Sequence, residues 1–535
     1  MASGGRSLCR LAETFGRLPP VGARLGTVRL GGNSWRATKV AYGLFRPALK
    51  CRATKLSFSV VGVDLGAIMA GNSIRFGTDG WRAVIADGFT FQNLGIAAQA
   101  SAQVLARTYP GAGILIGYDN RFLSEKFAAH AAEVVARLGI PVYLSACVAP
   151  TPAFSWAAKE RGCHGALVIT ASHNPPHYSG LKVKGGFGGS VPPEVTAAIE
   201  QELHHLQPLA SNPAPIETWD PWPGYLAQLS RFVDLEKLKG SPAKIWVDVM
   251  FGSGAGGLSR LLGEKVIELQ ARRDPLFGGF PPEPLPQNLQ TSAQIIAADP
   301  APLKMGLVFD GDADRIAALD GQGHFLSPQI LIPILIDHLA GRRGLRGEIV
   351  KTISGSELFV KVAERYGLPV TETPVGFKYI AERMLSTPVL LGGEESGGIG
   401  YLGHIPERDA LLSALYLIEA VTETGQDLSA LYRALQEREG FTSVYLRRDL
   451  HLADQGQQTR LFQQLQTDPP LEILGQKVIK HFDRDGHKFS LADGSWVMIR
   501  GSGTEPLLRL YSEARTSEEV NRLLDWAAGL LSKIA

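Results

Sequence analysis

Six residues constrain this chain more than any other stretch: Thr170-Ala171-Ser172-His173-Asn174-Pro175 directly follows the apolar run Gly165–Ile169. A short apolar run that stops at an Asn-Pro pair reads as a strand ending in a tight loop. The turn leaves Ser172 at its tip, and a hydroxyl exposed on a rigid strand end is a candidate nucleophile. Ordinary polar turns use the same residue types, so the assignment rests on what lies downstream.

At 535 residues the chain is long enough for three to five domains. Apolar residues at 45% and charged residues at 20% are ordinary for a globular protein. No run of 18 uncharged apolar residues is present to span a bilayer, and neither membrane nor nucleic acid is an expected partner. The net charge of +2 conceals an asymmetry: residues 1–60 carry eleven Lys/Arg against one acid, Glu13, while the rest is net acidic. An Arg-rich, acid-poor start with scattered Ser, Thr, Ala and Gly is the pattern of an organelle transit peptide. Residues 1–71 are therefore set aside as a leader, with a plastid favoured over a mitochondrion as destination. A basic arm for nucleic acid would show runs of adjacent like charges and interleaved aromatics, and this stretch has neither. Cys9, Cys51, Cys147 and Cys163 form no CxxC pair, which argues against a disulfide framework or a zinc site.

After the leader, IRFGTDGWR at 74–82 is a glycine-rich turn presenting Arg82, suited to a bidentate grip on phosphate. An apolar strand at Ile114–Tyr118 runs into Asp119-Asn120-Arg121. A helix follows with Ser124 as N-cap and Phe127, Ala131, Val134 and Val135 on one face, then a strand near 141–144. The strand before Ser172 extends this βαβ unit. GLKVKGGFGG at 180–189 carries Lys182 on a segment expected to be mobile. The Pro-rich stretch 206–223 is expected to be the first linker.

A second α/β region opens with a strand at 244–249 and then Gly252, Gly254 and Gly257 in GxGxxG order, a candidate dinucleotide fingerprint. The next acid at a strand end, Glu268, comes too early for the ribose-binding position about 20 residues on. The strand Lys304–Phe309 ends in DGDADR, which sets Asp310, Asp312 and Asp314 at alternate positions with Arg315 behind them. Three carboxylates this close repel unless a divalent cation neutralises them, and oxygen-only ligation suits Mg²⁺. A calcium EF-hand is excluded, because Arg315 stands where the loop glycine belongs and Gly321 where the bidentate glutamate belongs.

In a third α/β region Ser327 is expected to cap a helix over 328–340, a strand covers 348–353, and Ser356 starts a helix ending near Gly367. TPVGFKYI at 373–380 presents Lys378 after a glycine turn. A strand at 389–391 runs into GGEESGG at 392–398, followed by HIPERD at 404–409. Glu394 and Glu395, flanked by glycines, read as an exposed loop suited to sugar hydroxyls. The last hundred residues turn β-rich, with a DRDG turn at 483–486, RGSGTEP at 500–506 and a strand at 507–511; Thr516 and Glu519 spell a capping box for the final helix. A guanidinium, two hydroxyls and glycine-exposed N–H groups at 500–504 are the makings of a phosphate cradle.

A strand-end serine, a carboxylate triplet, an acidic loop and a phosphate cradle together describe phosphoryl transfer on a phosphosugar. From about Ile74 to the C-terminus the chain closely resembles the α-D-phosphohexomutases, with its motifs in that family's order. The resemblance implies an α/β fold of three consecutive domains with mixed sheets, at 72–212, 213–319 and 320–438. A smaller C-terminal α+β domain, 439–535, would join them around a central cleft. It implies Ser172 as the phosphoserine, with Ser172, Asp310, Asp312 and Asp314 around one Mg²⁺ per subunit. Glu394 and Ser396 would bind sugar, and Arg500, Ser502, Gly503 and Thr504 the non-reacting phosphate. Arg82, Lys182, Lys378, Arg315 and Arg509 match other site positions. The implied partners are hexose phosphates, with glucose 1-phosphate and glucose 6-phosphate exchanged through glucose 1,6-bisphosphate by a monomer or weak dimer. A general acid/base is needed, and Lys182 and His404 are the candidates; part of the family has a histidine where this chain has Gly398, so the choice stays open. GEES followed by HIPERD is similar to glucose-specialised members, with phosphomannomutase or dual specificity as the alternative and glucosamine phosphate a poor substrate. Two readings of other kinds are a non-catalytic phosphosugar-binding protein, which the intact serine and triplet oppose, and a dinucleotide-dependent oxidoreductase resting only on Gly252 to Gly257.

Overall fold

The computed structural model describes residues 74–77, 79–452, 454–501 and 507–531. The leader expected at 1–71 and the cradle residues Ser502, Gly503 and Thr504 lie outside the described residues. Strands fall where short apolar runs stop at glycine or polar groups: Ile114–Tyr118, Gly165–Ile169 and Lys304–Phe309 have the bounds read from sequence. Their almost unbroken burial is that of central strands covered on both faces.

The first sheet runs in the order Trp81–Val84, Tyr178–Gly185, Gly165–Ile169, Ile114–Tyr118, Val142–Ser145, Ile216–Trp219. Its first two pairings are antiparallel and the others parallel. The Pro-rich stretch is thus only partly a linker, because Ile216–Trp219 completes this sheet beyond the boundary expected at 212. In the second sheet Phe325–Leu326, Ile316–Leu319 and Lys304–Phe309 are antiparallel neighbours, and Lys244–Asp248 and Val266–Leu269 add parallel strands. That sheet also passes its expected end at 319. The third runs Val370–Thr373, Glu348–Thr352, Val389–Gly393, Ile399–Tyr401, with the last pairing antiparallel.

Two expected caps differ. The helix Ser124–Ala136 is capped by Leu123 in a left-handed conformation, while the Ser124 hydroxyl donates to Asp119. The helix expected over 328–340 is α-helical over Pro328–Ile336 and continues as a π-helix over Asp337–Arg342, and Ser327 makes no side-chain cap bond. The Ser356 cap and the Thr516–Glu519 capping box form as the sequence indicates.

One apolar core runs through the second and third domains and onto one face of the first sheet, joining Leu115 and Val168 to Leu307, Ile332 and Leu415. The C-terminal domain differs. Its six strands are all antiparallel. Alternation along Trp496–Gly501 puts Val497 and Ile499 in a private core with helices Gln455–Thr467 and Ser517–Gly529. Trp496 and Met498 face the other way, against Ile353 of the third domain. Among the described residues no helix is long and apolar enough to cross a membrane.

Candidate active site

Residues that follow the carboxyl ends of neighbouring strands gather at one edge of an α/β sheet. The ends of Gly165–Ile169 and Lys304–Phe309 meet across the first and second domains, so Ser172 Oγ donates to Asp310 Oδ2 at 2.7 Å. The triplet is wound around its own backbone: Asp310 Oδ1 accepts the N–H groups of Asp314 and Arg315, both at 3.1 Å, and Ala313 takes a φ of 53° to close the turn. Asp312 is anchored by Thr151 Oγ1 at 2.6 Å. The carboxylate oxygens of Asp310, Asp312 and Asp314 lie within 4.8 Å of one another and all three residues are buried. Among the described residues Asp312 Oδ1 and Asp314 Oδ1 are buried without a hydrogen-bond partner. Bare acceptors in an all-oxygen set fit a hard divalent cation.

Ser172 is not exposed, as its turn had indicated, but 1% accessible and at a φ of 52°. The reason is the neighbouring loop: a Cβ on Gly311 would lie 2.4 Å from the Ser172 carbonyl oxygen, so the two loops are pressed together at a glycine. Left-handed backbone on a non-glycine residue costs ~1–3 kcal/mol and persists where the surroundings fix it. Thr170 Oγ1 accepts the Ser172 N–H at 2.9 Å.

Lys182 is on the eight-residue strand Tyr178–Gly185 rather than a mobile segment. Its Nζ is buried 2.7 Å from Asp312, 2.6 Å from Asp314 and 3.0 Å from Asp79. Burial alone would lower its pKa, but Asp312 and Asp314, then Asp79, hold it above the ordinary lysine value. In turn, burial and the other two carboxylates push Asp310 well above the carboxylate range, whereas Lys182 keeps Asp312 below it despite burial. Asp79 also takes Lys184 and Arg408, and these cations overcome its desolvation to leave it firmly ionised. Arg408 reaches Asp314 at 2.8 Å and Glu394 at 3.9 Å. Arg315 lies 3.9 Å from Asp314, and Arg82 donates to Asn174 of the serine loop at 2.5 Å.

The acidic loop is likewise buried at its first acid: Glu394 is 5% accessible and desolvation raises it to about 7, with Arg408 opposing. The loop lies on the triplet's strand, Ile316 N donating to Gly397 O at 3.0 Å and Arg315 bridging Gly398. A Cβ on Gly398 would meet Arg408 Cδ at 2.3 Å, so the Arg408 stem fills the space a side chain at 398 would need. Glu395 is taken by Ser354 Oγ at 2.7 Å and Thr352 Oγ1 at 3.2 Å, and Ser396 is half-buried. Lys378, in the first turn of Phe377–Ser386, is half-buried with its Nζ 5.1 Å from the Tyr379 ring.

His404, the other acid/base candidate, is placed in a buried setting of its own. Its Nε2 is bonded to Asp409 at 2.9 Å and its ring lies against Trp156 and Phe232, while Asp409 also accepts from Tyr225 and caps Ala410–Thr424. The pair is buried, with one imidazole nitrogen on Asp409, while Nδ1 has no hydrogen-bond partner among the described residues. The GxGxxG reading is also explained structurally. A Cβ on Gly252 would meet Gly311 O at 2.7 Å, and one on Gly257 would meet Leu411 at 2.5 Å, so these glycines let the second-domain loop pack under the triplet.

On the C-terminal side Arg500 and Arg509 are partners across Trp496–Gly501 and Leu507–Ala514. Asp485 of the DRDG turn holds Arg500 Nε at 3.1 Å and also accepts Val375 N at 2.9 Å, tying the turn to the loop that leads to Lys378. Arg509 Nε is buried without a hydrogen-bond partner among the described residues.

Four residues that join this site were not picked out as site residues from sequence. Asp79 and Arg408 sit inside motifs read for Arg82 and His404; Asp79 is a lone acid beside Gly80, and Arg408 stands between Glu407 and Asp409. His173, beside Ser172, is held neutral by burial and then by Arg315 and Arg82, well below the usual imidazole value. Arg121 follows a strand end, as Ser172 does.

Four family models match in order: "Phosphoglucomutase/phosphomannomutase, alpha/beta/alpha domain I" at residues 73–209, domain II at 223–323, domain III at 327–438 and the C-terminal domain at 461–529. A phosphoglucosamine mutase of Desulforamulus reducens is 30% identical over 86% of this chain and 99% of its own. A phosphoglucomutase/phosphomannomutase of Thermococcus kodakarensis is 29% identical over 78% of this chain and 90% of its own. Among solved structures, a Thermus thermophilus protein provisionally named a phosphomannomutase superposes with a TM-score of 0.76 at 34% identity, covering 86% of this chain and all of that one.

Proposed function

The chain belongs to the phosphoglucomutase/phosphomannomutase family of α-D-phosphohexomutases, and from that premise we propose that it interconverts glucose 1-phosphate and glucose 6-phosphate through phospho-Ser172 and glucose 1,6-bisphosphate. The observation that carries this reading is the Ser172 Oγ to Asp310 Oδ2 contact, a hydroxyl delivered to a buried carboxylate triplet. Asp310, Asp312 and Asp314, with an oxygen on Ser172, would hold Mg²⁺, which when bound neutralises charge on the phosphoryl group in flight.

The chain's own groups do the rest. The bond from Ser172 Oγ to phosphorus breaks as one forms to a sugar hydroxyl oxygen, and the hydroxyl proton must leave. Arg82 and Arg315, converging on the serine loop and the triplet, supply positive charge where the phosphoryl passes. Lys182 remains the acid/base assignment: three carboxylates hold the proton on its Nζ, and its release requires their charge to be balanced by a cation. Glu394, raised to about 7, accepts from sugar hydroxyls. The bisphosphate then turns over, and Arg500 and Arg509 grip whichever phosphate is not reacting. Arg408, 3.9 Å from Glu394, opposes an ammonium on the sugar and supports a neutral hexose over glucosamine. The basic stretch 1–71 is proposed as the targeting leader, plastid favoured; the first family model starting at residue 73 supports this.

The deciding experiment is a coupled assay with Mg²⁺ and a trace of the bisphosphate, offering the 1-phosphates of glucose, mannose and glucosamine in parallel. Glucose 1-phosphate is expected to give the highest kcat/KM. An equal or higher value for mannose or glucosamine phosphate overturns the glucose assignment while keeping the family chemistry.

A further inference from the structure

Ser172 carries a strained backbone in a loop four of whose carbonyls, counting the first of the strand that follows, converge on one point. Arg121, fully buried, lies where they converge. Its Nη2 donates to Ser172 O at 2.7 Å and Asn174 O at 2.6 Å, and its Nη1 to Pro175 O at 2.8 Å and Tyr178 O at 3.0 Å. The register of the first sheet makes this possible: Tyr118 pairs with Ile169, so the segment after each strand emerges beside the other. Asp119 Oδ2 lies 3.2 Å from Arg121 Nε, and Phe277 covers the guanidinium with its ring centroid 5.0 Å away. The next residue along reaches the other half of the site. Asn120 Nδ2 donates to Phe251 O and Gly252 O at 3.0 Å each, and that loop in turn donates Ser253 N to Gly311 O at 2.9 Å. Asp119, Asn120 and Arg121 therefore hold the serine loop with one side chain and brace the triplet's loop with another.

We propose that Arg121 is a positioning residue for phosphoryl transfer: its planar guanidinium, by gathering four carbonyls of the serine loop, sets where Ser172 Oγ stands relative to Asp310. Its hydrogen bonds go to the loop's backbone, whereas Arg82 takes the loop's side chain at Asn174. The requirement is one of shape. A lysine keeps the charge, but three donors on one nitrogen cannot reach four carbonyls spread along the loop. Displacing a reacting group by about an ångström costs about 100-fold in rate. Substrate binding, made by other side chains, should be spared.

This inference rests on Ser172 being the phosphoryl carrier, and that is checked first and separately in the unaltered enzyme, by intact mass and by peptide mapping after incubation with glucose 1,6-bisphosphate. If the unaltered enzyme never carries phosphate on Ser172, the functional reading fails whatever Arg121 does. Given phospho-Ser172, Arg121→Lys is expected to lower kcat about 100-fold with KM for glucose 1-phosphate within about twofold, and to slow discharge of phospho-Ser172 in a single turnover by the same factor. Thermal melting followed by circular dichroism gives the folded fraction, to which kcat is normalised. Asp119→Asn keeps the guanidinium but loosens its anchor, and is expected to give a smaller loss, also in kcat alone. Unchanged kcat per folded Arg121→Lys enzyme, or a loss carried by KM, overturns the proposal. Should Arg121→Lys not fold, full kcat in folded Asp119→Asn overturns it equally.

Discussion

The serine and triplet half of the site and the phosphate-gripping half are held by different means. Ser172 and Asp310 follow strand ends and Lys182 lies within a neighbouring strand, all beside a core shared by three domains, and buried carboxylates and cations close over them. Arg500 and Arg509 sit on a domain with its own core. Its contact with the third domain is a small apolar cluster around Trp496 and Ile353, bordered by polar groups. There Glu513 takes the hydroxyls of Ser356 and Ser443 and the Trp496 indole, while Lys351 and Lys488 pair with Glu357 and Glu372. The apolar part of this contact is much smaller than the shared core, so less apolar burial opposes its opening. In the proposed reaction the half that would make and break bonds is held by the larger shared core, and the half that would release one phosphate and grip the other is held by the smaller interface.

The largest expected effect breaks the fixed half. Ser172→Ala should abolish turnover while the melting temperature barely moves, since the mutation removes one hydroxyl; phosphate measured by mass on the active enzyme must locate to Ser172. Asp310→Asn keeps the shape but deletes a charge, and should lower kcat by about 100- to 1,000-fold. Arg500→Ala should do the opposite in kinetic form, raising KM about 10-fold or more with a smaller change in kcat, because a charged hydrogen bond to the non-reacting phosphate is worth ~1.5–3 kcal/mol. Steady-state kinetics on the two variants tests the contrast. A kcat-only loss in Arg500→Ala would show that both halves act in the chemical step.

Acid should loosen this smaller attachment first. Burial opposes it, but Lys351 and Lys488 hold Glu357 below the usual range and take Glu372 to about 2. A depressed folded pKa means stabilisation that is complete above the unfolded value of 4.5 and lost as pH falls towards about 2. Trp496, which covers this interface, reports it: its fluorescence should change between about pH 4.5 and 2 before the far-ultraviolet dichroism of the three-domain trunk does. Simultaneous loss of both signals would make the domains one cooperative unit.

The contrast also marks what was legible in the sequence. Strand ends of the trunk could be read to the residue, as with Lys304–Phe309, because a buried parallel strand is a short apolar run with abrupt stops. The triplet and Ser172 could be read as chemistry because they follow such stops. Their burial could not, since it depends on Gly311 letting two distant loops touch. His404 was named from sequence as an acid/base candidate without its surroundings; only the fold shows Asp409, Trp156 and Phe232 around it. Asp79 and Lys182, drawn from different stretches, are likewise partners only in space.

The smallest expected effect concerns Glu394, which lies 3.9 Å from Arg408 on the triplet's side of the site. Burial raises it from 4.5 to about 7, so near neutrality it is shared between a carboxylate that accepts from sugar hydroxyls and an acid that can also donate. A raised folded pKa stabilises relative to the unfolded chain fully below 4.5, and that contribution is lost as pH rises through about 7. Activity that needs the carboxylate should then show an acid limb in kcat/KM near pH 7. Glu394→Gln cannot ionise: the limb should vanish, kcat/KM for glucose 1-phosphate should fall about 10-fold at about pH 8, consistent with ~1–3 kcal/mol for an unmet buried partner, and phosphate should still load onto Ser172. The gap between glucose and mannose phosphates should narrow with it, because the epimers differ only in the C2 hydroxyl that a positioned acceptor can tell apart. If Glu394→Gln leaves every hexose phosphate and the pH profile untouched, the buried acid answers to Arg408 alone and the sugar is read elsewhere.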